Sequence, residues 1–301
     1  MKSTMSLALF ALLACSLLPG DLHAGGRTDK TFDKKGLVEM RFVSGDCKVT
    51  KSTDGRISVS VVSKVRPEDA FEPEMTERGD RLILREHFDH SSSGSVRWTV
   101  SVPEGTKIRF ESASGGIEIN GLKSDLKAST ASGDIRLRDM DGEFDVSTAS
   151  GEIHAENTSG RMTFSTASGN IEADNIRGEL ELSSASGAVK ADRATLTEES
   201  SFSAASGDVS VKLAKSPAYD LEASSASGDA TVNFNGNPLE GYFELTVKLD
   251  GGRIVCPFKF DNEKEFARGH EAYVTKSFTK GKSAPKISIS SASGRAELRE
   301  K

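Results

Sequence analysis

Aromatic residues make up only 6% of this 301-residue chain, with a single Trp, so a glycan- or base-binding surface built on stacked rings is not expected. Cysteine is scarcer still at 3 residues, which excludes a disulfide framework as the source of the fold. Proline numbers 8 beside 28 glycines; that is too little proline for collagen, and the glycines are too regularly spaced for a flexible linker. Positive charge is not in excess: Lys plus Arg at 39 against Asp plus Glu at 45 leaves a net charge of −6. No overall basic field exists to hold nucleic acid or anionic lipid. A hydrophobic fraction of 36% with 28% charged residues nevertheless suits a folded chain, long enough for one or two buried domains.

The one long apolar run, residues 5–18, follows Lys2 and leads to Leu22-His23-Ala24. It is short for a membrane span and reads as a secretory signal peptide over residues 1–24, cut after Ala24. The mature chain is then expected outside the cytoplasm, in the periplasm or at the cell surface. An alternative is a lipobox at Leu12-Leu13-Ala14-Cys15, with Cys15 lipidated; the apolar run continues through Leu17 and Leu18, which favours the plain cut. Cys47 follows Gly45 by two residues and Cys256 alternates with Ile254, Phe258 and Phe260, so both are expected in the core rather than in a disulfide.

Ala-Ser-Gly recurs with its glycine at Gly115, Gly133, Gly151, Gly169, Gly187, Gly207, Gly228 and Gly294. Midway lie Ser124, Gly142, Gly160 and Gly178, so the unit is a nonapeptide with Gly at position 1, apolar residues at 3 and 5, and usually Ser, Thr or Asn at 7. The alternation within a unit predicts a half-buried strand. Nine is odd, so the inward face must be reset once per unit, and a glycine bend with positive φ would do this. Two bends close one coil of about 18 residues. The prediction is an all-β, single-chain parallel β-solenoid, β-helix- or β-roll-like, with two-strand coils. Ile117, Ile135, Ile153, Ile171 and Val189 form one inner column, and Leu126, Phe144, Met162 and Leu180 the column opposite.

Such coils cannot stand alone, and antiparallel β elements are expected to cap them. The expected organisation is a signal peptide over 1–24, an N-terminal β cap over 25–112, solenoid repeats over 113–236, a β-hairpin insertion over 237–284 and a final coil over 285–301. The hairpin is placed at residues 243–249 and 254–260, joined by Asp250-Gly251-Gly252.

Val-Pro-x-Gly at residues 102–105, then Ser112-Ala113-Ser114-Gly115-Gly116-Ile117 and serial Ser-Gly-Asp-Ile units, resembles the DUF4097-like, putative-adhesin family of bacterial β-strand repeats over roughly residues 35–299. The resemblance implies the repeat fold and an adhesin-like or envelope-stress setting, and brings no functional residues with it.

Catalytic constellations are hard to find. His87 and His90 flank Phe88-Asp89 in a Ser-rich loop, with no Cys or further His near, so a hairpin tip is favoured over a metal loop. His270 has no evident partner, and His23 leaves with the signal. Serines repeat coil by coil, whereas a nucleophile is singular and has a base beside it. Thr130, Thr148 and Thr166 fall on the inward face by parity, which opposes an ice-binding array. Trp98 alternates with Val96, Val100 and Val102 and is expected in the core. The turns lack the regular Asp of calcium β-rolls. Glu156, Asp174 and Asp192, beside Glu152 and Glu172, stack on one outer face as the one candidate cation patch, although His154, Lys190 and Arg136 interleave.

No cofactor is implied. The expected function is an exported, non-enzymatic, adhesin-like binding or structural scaffold of the cell envelope, its partner a surface protein or glycan. Alternatives are a polysaccharide-processing β-helix enzyme and an envelope-stress accessory that docks a membrane partner.

Overall fold

A computed structural model describes residues 26–89 and 93–301; the expected leader, Cys15 and His90 lie outside the described residues. Among the described residues the chain forms 27 short strands, and alternating sequence becomes alternating burial along most of them. The first seven are β1 (Gly26–Phe32), β2 (Leu37–Phe42), β3 (Asp46–Lys51), β4 (Ile57–Arg66), β5 (Phe71–Arg78), β6 (Arg81–Phe88) and β7 (Ser93–Val102). The repeats supply β8 (Lys107–Ser112), β9 (Ile117–Asn120), β10 (Leu126–Thr130), β11 (Ile135–Arg138), β12 (Asp141–Thr148), β13 (Ile153–Glu156) and β14 (Ser159–Thr166). They continue through β15 (Ile171–Asp174), β16 (Arg177–Ser184), β17 (Val189–Leu196), β18 (Ser200–Ala204), β19 (Val209–Leu213), β20 (Leu221–Ser225) and β21 (Ala230–Asn233). The last six are β22 (Gly241–Lys248), β23 (Arg253–Val255), β24 (Asn262–Arg268), β25 (Glu271–Lys280), β26 (Lys286–Ser291) and β27 (Arg295–Arg299).

From β8 to β21 even and odd strands alternate between two facing parallel sheets, as a β-solenoid requires. Odd strands pair as β9-β11-β13-β15-β17-β19-β21 in sheet A. Even strands pair as β8-β10-β12-β14-β16-β18-β20 in sheet B. Register places Ile117, Ile135, Ile153, Ile171 and Val189 in one column and Leu126, Phe144, Met162 and Leu180 in the other. Ile135 is 0% and Phe144 2% exposed, so both expected columns are core. A further buried column, Leu122, Met140, Thr158, Ile176 and Ala194, fills the corner where sheet A returns to sheet B.

The ends depart from simple serial stacking. The β2–β3 coil is inserted between β8–β9 and β6–β7, so the region expected as a cap itself contains two coils. Symmetrically, the final β26–β27 coil lies between β20–β21 and β22–β23. Antiparallel strands then extend three of the four sheet ends, β1 and β4 beside β7, β5 beside β6, and β25 and β24 beside β22, while sheet A ends at its C-terminal side on the three-residue β23. They cover backbone groups that an open solenoid end would leave unpaired.

The expected hairpin at 243–249 and 254–260 is corrected. β22 belongs to sheet B and β23 to sheet A, so Asp250-Gly251-Gly252 is one more coil corner, and the true hairpin is β24–β25. At Gly252 an added Cβ would lie 2.5 Å from the Val247 Cβ, so the glycine there permits close packing across a bend.

The corners also divide their glycines differently from expectation. Positive φ falls at the sheet A to sheet B corner, at Gly121 (71°), Asp139 (52°), Asn157 (51°), Asn175 (51°) and Arg193 (52°). Asn and Asp tolerate this conformation better than other side chains. Asn157 Nδ2 donates to Asp139 Oδ1 at 3.0 Å, and Asn175 Nδ2 to Asn157 Oδ1 at 2.7 Å, forming a ladder up the corner. The Ala-Ser-Gly glycines serve close approach instead: a Cβ on Gly151 would lie 2.0 Å from the Gly133 carbonyl oxygen. The inward threonines seal that corner. Thr148 Oγ1 donates to the Gly133 carbonyl at 3.1 Å and accepts from the Gly151 N–H at 3.0 Å, with Thr130, Thr166 and Ser184 repeating the bridge.

At the N-terminal end one carboxylate organises the cap. Glu86 Oε2 accepts the N–H groups of Val43, Ser44 and Gly45 at 2.8, 2.9 and 3.1 Å, and Oε1 accepts the Trp98 indole N–H at 2.9 Å. Trp98 is fully buried, as expected, and stacks on Phe42 with centroids 4.6 Å apart.

At the other end Asp229 ties the permuted coil to its neighbour. It accepts Arg295 Nη2 and Nε at 2.6 and 2.9 Å on Oδ2, and the Arg295 N–H at 2.8 Å on Oδ1. The hydrogen bond from the guanidinium holds the Asp229 carboxyl below the usual carboxylate range. A carboxyl whose pKa is lowered by folding stabilises above its unfolded pKa, and the contribution is lost as pH falls through the folded value. Asp229→Asn should therefore lower Tm at about pH 7, and the gap to wild type should narrow as pH falls below about 4. Melts at the two pH values check this; a gap that is constant with pH would contradict it.

Candidate binding groove

The outward positions of sheet B carry a regular pattern that follows from the repeat. Position 6 of every second nonapeptide is serine, and register aligns Ser129, Ser147, Ser165, Ser183, Ser203, Ser224 and Ser290 across seven strands. All seven are half-exposed. The row continues into Thr246 and Thr275, whose hydroxyls lie 2.8 Å apart. Parallel strands about 4.8 Å apart thus present one hydroxyl per step along the solenoid axis.

At its C-terminal end this flat row runs into a groove of about 950 Å³, floored by Ser203, Ser224, Ser290, Thr246 and Thr275 and walled by the β24–β25 hairpin. Phe266 and Tyr273 face each other across the hairpin, with ring centroids 5.6 Å apart and planes inclined by 19°. Arg268 Cζ lies 5.8 Å from the Tyr273 centroid, and Lys264 lines the same wall. Across the groove Lys286 Nζ pairs with Glu244 at 3.1 Å. The site therefore combines an aromatic pair, a hydroxyl floor and side chains of both charges.

Sequence reasoning missed this aromatic pair because it judged outward aromatics nearly absent. The signal was present: Lys264, Phe266 and Arg268 share one face by parity, so a lone ring alternates with cations in a run too polar to be core.

The expected cation-patch residues lie on the opposite sheet. Glu156, Asp174 and Asp192 are in register, but each meets a cation: Glu156 pairs with Arg138 at 3.0 Å, Asp174 with Arg193, and Asp192 with Lys212 at 3.6 Å. Glu172 lies 3.7 Å from His154 Nδ1, and Glu152 accepts from Asn170 Nδ2 at 3.4 Å. Among the described residues, no three His, Cys, Asp or Glu side chains gather as a group that could hold a metal ion.

His87 contacts Asp89 at 2.8 Å on the surface, and His270 sits in the exposed β24–β25 turn. Cys47 is buried and Cys256 half-buried; neither is in a disulfide. Burial pushes both thiols up, which keeps them protonated and poor nucleophiles. Among the described residues no helix is long and apolar enough to cross a membrane.

A family model described as Toastrack DUF4097 matches residues 38–245. Among solved structures, a putative adhesin from Bacteroides fragilis is similar at 12% identity, covering 91% of this chain and 96% of its own, with a TM-score of 0.39. A putative lipid binding protein from Parabacteroides distasonis shares 12% identity over 92% of this chain and 97% of its own, with a TM-score of 0.38. A putative cell adhesion protein from Clostridium sporogenes shares 10% over 92% and 100%, with a TM-score of 0.24. No curated protein matches the chain.

Proposed function

The chain belongs to the Toastrack DUF4097 family, and from that premise we propose that it is an exported, non-enzymatic scaffold of the cell envelope that binds an extended partner along the outer face of sheet B. The observation that carries this reading is the groove beneath β24–β25, into which the hydroxyl row leads. Rigidity is intrinsic to the stacked coils, so the face is preorganised and little ordering opposes binding. Export rests on the leader expected over residues 1–24, and the setting is the periplasm or cell surface. In the groove Glu244 is engaged by Lys286 at 3.1 Å and by the Tyr242 hydroxyl at 3.4 Å, which supports a binding rather than a catalytic role for that carboxylate.

The test is co-sedimentation of the purified protein with an insoluble envelope fraction. Ser147→Glu with Ser183→Glu, on the sheet B row, should weaken binding about tenfold, a loss of about 1.4 kcal/mol. Arg136→Glu with Lys190→Glu, on sheet A, should leave binding unchanged. Equal loss from both faces, or loss from sheet A alone, would reject the assignment.

A further inference from the structure

The ligand class of the groove follows from four observations. Its floor is the closed face of five paired strands, β18, β20, β26, β22 and β25, so the floor takes a ligand through its outward side chains and not by strand addition, the free edge nearby being that of β24 in the wall. Its wall is a stacked pair of rings 5.6 Å apart, a platform suited to a sugar ring. Its floor presents hydroxyls in a row at about 4.8 Å intervals, a spacing that fits a linear polymer laid along the axis and exchanges hydrogen bonds with a hydroxyl-rich chain. Its charges are not balanced. Of the charged side chains that line the groove, Lys286 pairs with Glu244 at 3.1 Å, and Lys264 and Arg268, without an ion-pair partner among the described residues, outnumber the one remaining carboxylate, Glu222.

We propose that the β24–β25 groove binds a linear glycan bearing anionic groups, one sugar stacking on Phe266 and Tyr273 while Lys264 and Arg268 take its acidic substituents. The proposal rests on the reading of sheet B as the binding face and names what that face takes. Cation and ring cooperate, because Arg268 already lies 5.8 Å from the Tyr273 centroid and so borders any sugar stacked there.

Isothermal titration of the whole protein with oligogalacturonate, and with xylo-oligosaccharide as the neutral probe, tests it. Oligogalacturonate should bind, weakening as salt rises, and the neutral probe should bind at least about tenfold more weakly. Phe266→Ala with Tyr273→Ala should weaken the acidic probe by at least tenfold, while Phe266→Trp retains it. Lys264→Glu with Arg268→Glu should remove the preference for the acidic probe. Both sites are on the surface hairpin, and an unchanged melting curve separates loss of binding from loss of fold. Equal affinity for the two probes, no binding at millimolar oligogalacturonate, or full binding by the double alanine variant would each overturn the proposal. If neither sugar binds but Ser147→Glu with Ser183→Glu still weakens envelope co-sedimentation, the glycan assignment fails and the binding-face reading stands.

Discussion

Replacing Glu86 by alanine should lower global stability by about 4 kcal/mol, the largest effect expected of any polar residue in the chain. The side chain is 9% exposed and accepts four N–H donors, three from consecutive residues of the β2–β3 corner and one from the Trp98 indole. Truncation leaves those donors in a site that water reaches poorly, and each unsatisfied buried group costs about 1–3 kcal/mol. Partial hydration and relaxation of the corner reduce the sum, so about 4 is expected rather than the full total. Glutamine is not an adequate substitute. Its single oxygen can face the three amides, but its NH₂ then meets the indole N–H, donor against donor, and about 2 kcal/mol should be lost. Urea denaturation followed by Trp98 fluorescence measures both. A Glu86→Gln protein as stable as wild type would mean that the indole contact contributes nothing.

Gly45 shows why this hub was not legible in the sequence. A Cβ at that position would lie 1.9 Å from Glu86 Oε1, so the glycine is small because a side chain from a different strand, forty-one residues on, occupies its space. Local pattern carries no trace of such a partnership. By contrast, the repeats report themselves, because each inward column is built from residues at constant spacing. Constant spacing alone places Ile117 to Val189 and Leu126 to Leu180, and parity alone gives the inward turn of Thr130, Thr148 and Thr166. Neither places the ends. A coil inserted between two others pairs residues such as Leu221 with Ile287 across an intervening excursion, and periodicity is silent on which neighbour comes next. The groove inherits this gap: its walls come from the excursion and its floor from repeats and excursion together, so neither segment alone marks the site.

A methyl group at Gly169 should cost about 3 kcal/mol, although glycine to alanine is the smallest side-chain addition available. The added Cβ would sit 1.8 Å from the Gly151 carbonyl oxygen and 2.6 Å from its carbon. Backbone hydrogen bonds fix the coil separation, including Ser168 N–H to Ala149 O at 3.0 Å, and Thr166 Oγ1 bridges to Gly151 O at 3.2 Å. Both contacts must open for the methyl to fit. Because each coil is stabilised mainly by its two neighbours, a wedge in mid-array weakens the coupling between the halves, and unfolding should lose cooperativity as well as midpoint. Hydrogen exchange should show β14 to β17 amides losing protection first. Gly105 separates the two roles that glycine plays here: its φ is +77° with nothing within 4 Å of an added Cβ, so Gly105→Ala carries only the conformational penalty of about 1 kcal/mol. If the two alanine variants proved equally stable, the Ala-Ser-Gly glycines would be there to bend the chain, and the close approach of coil on coil would not be what selects them.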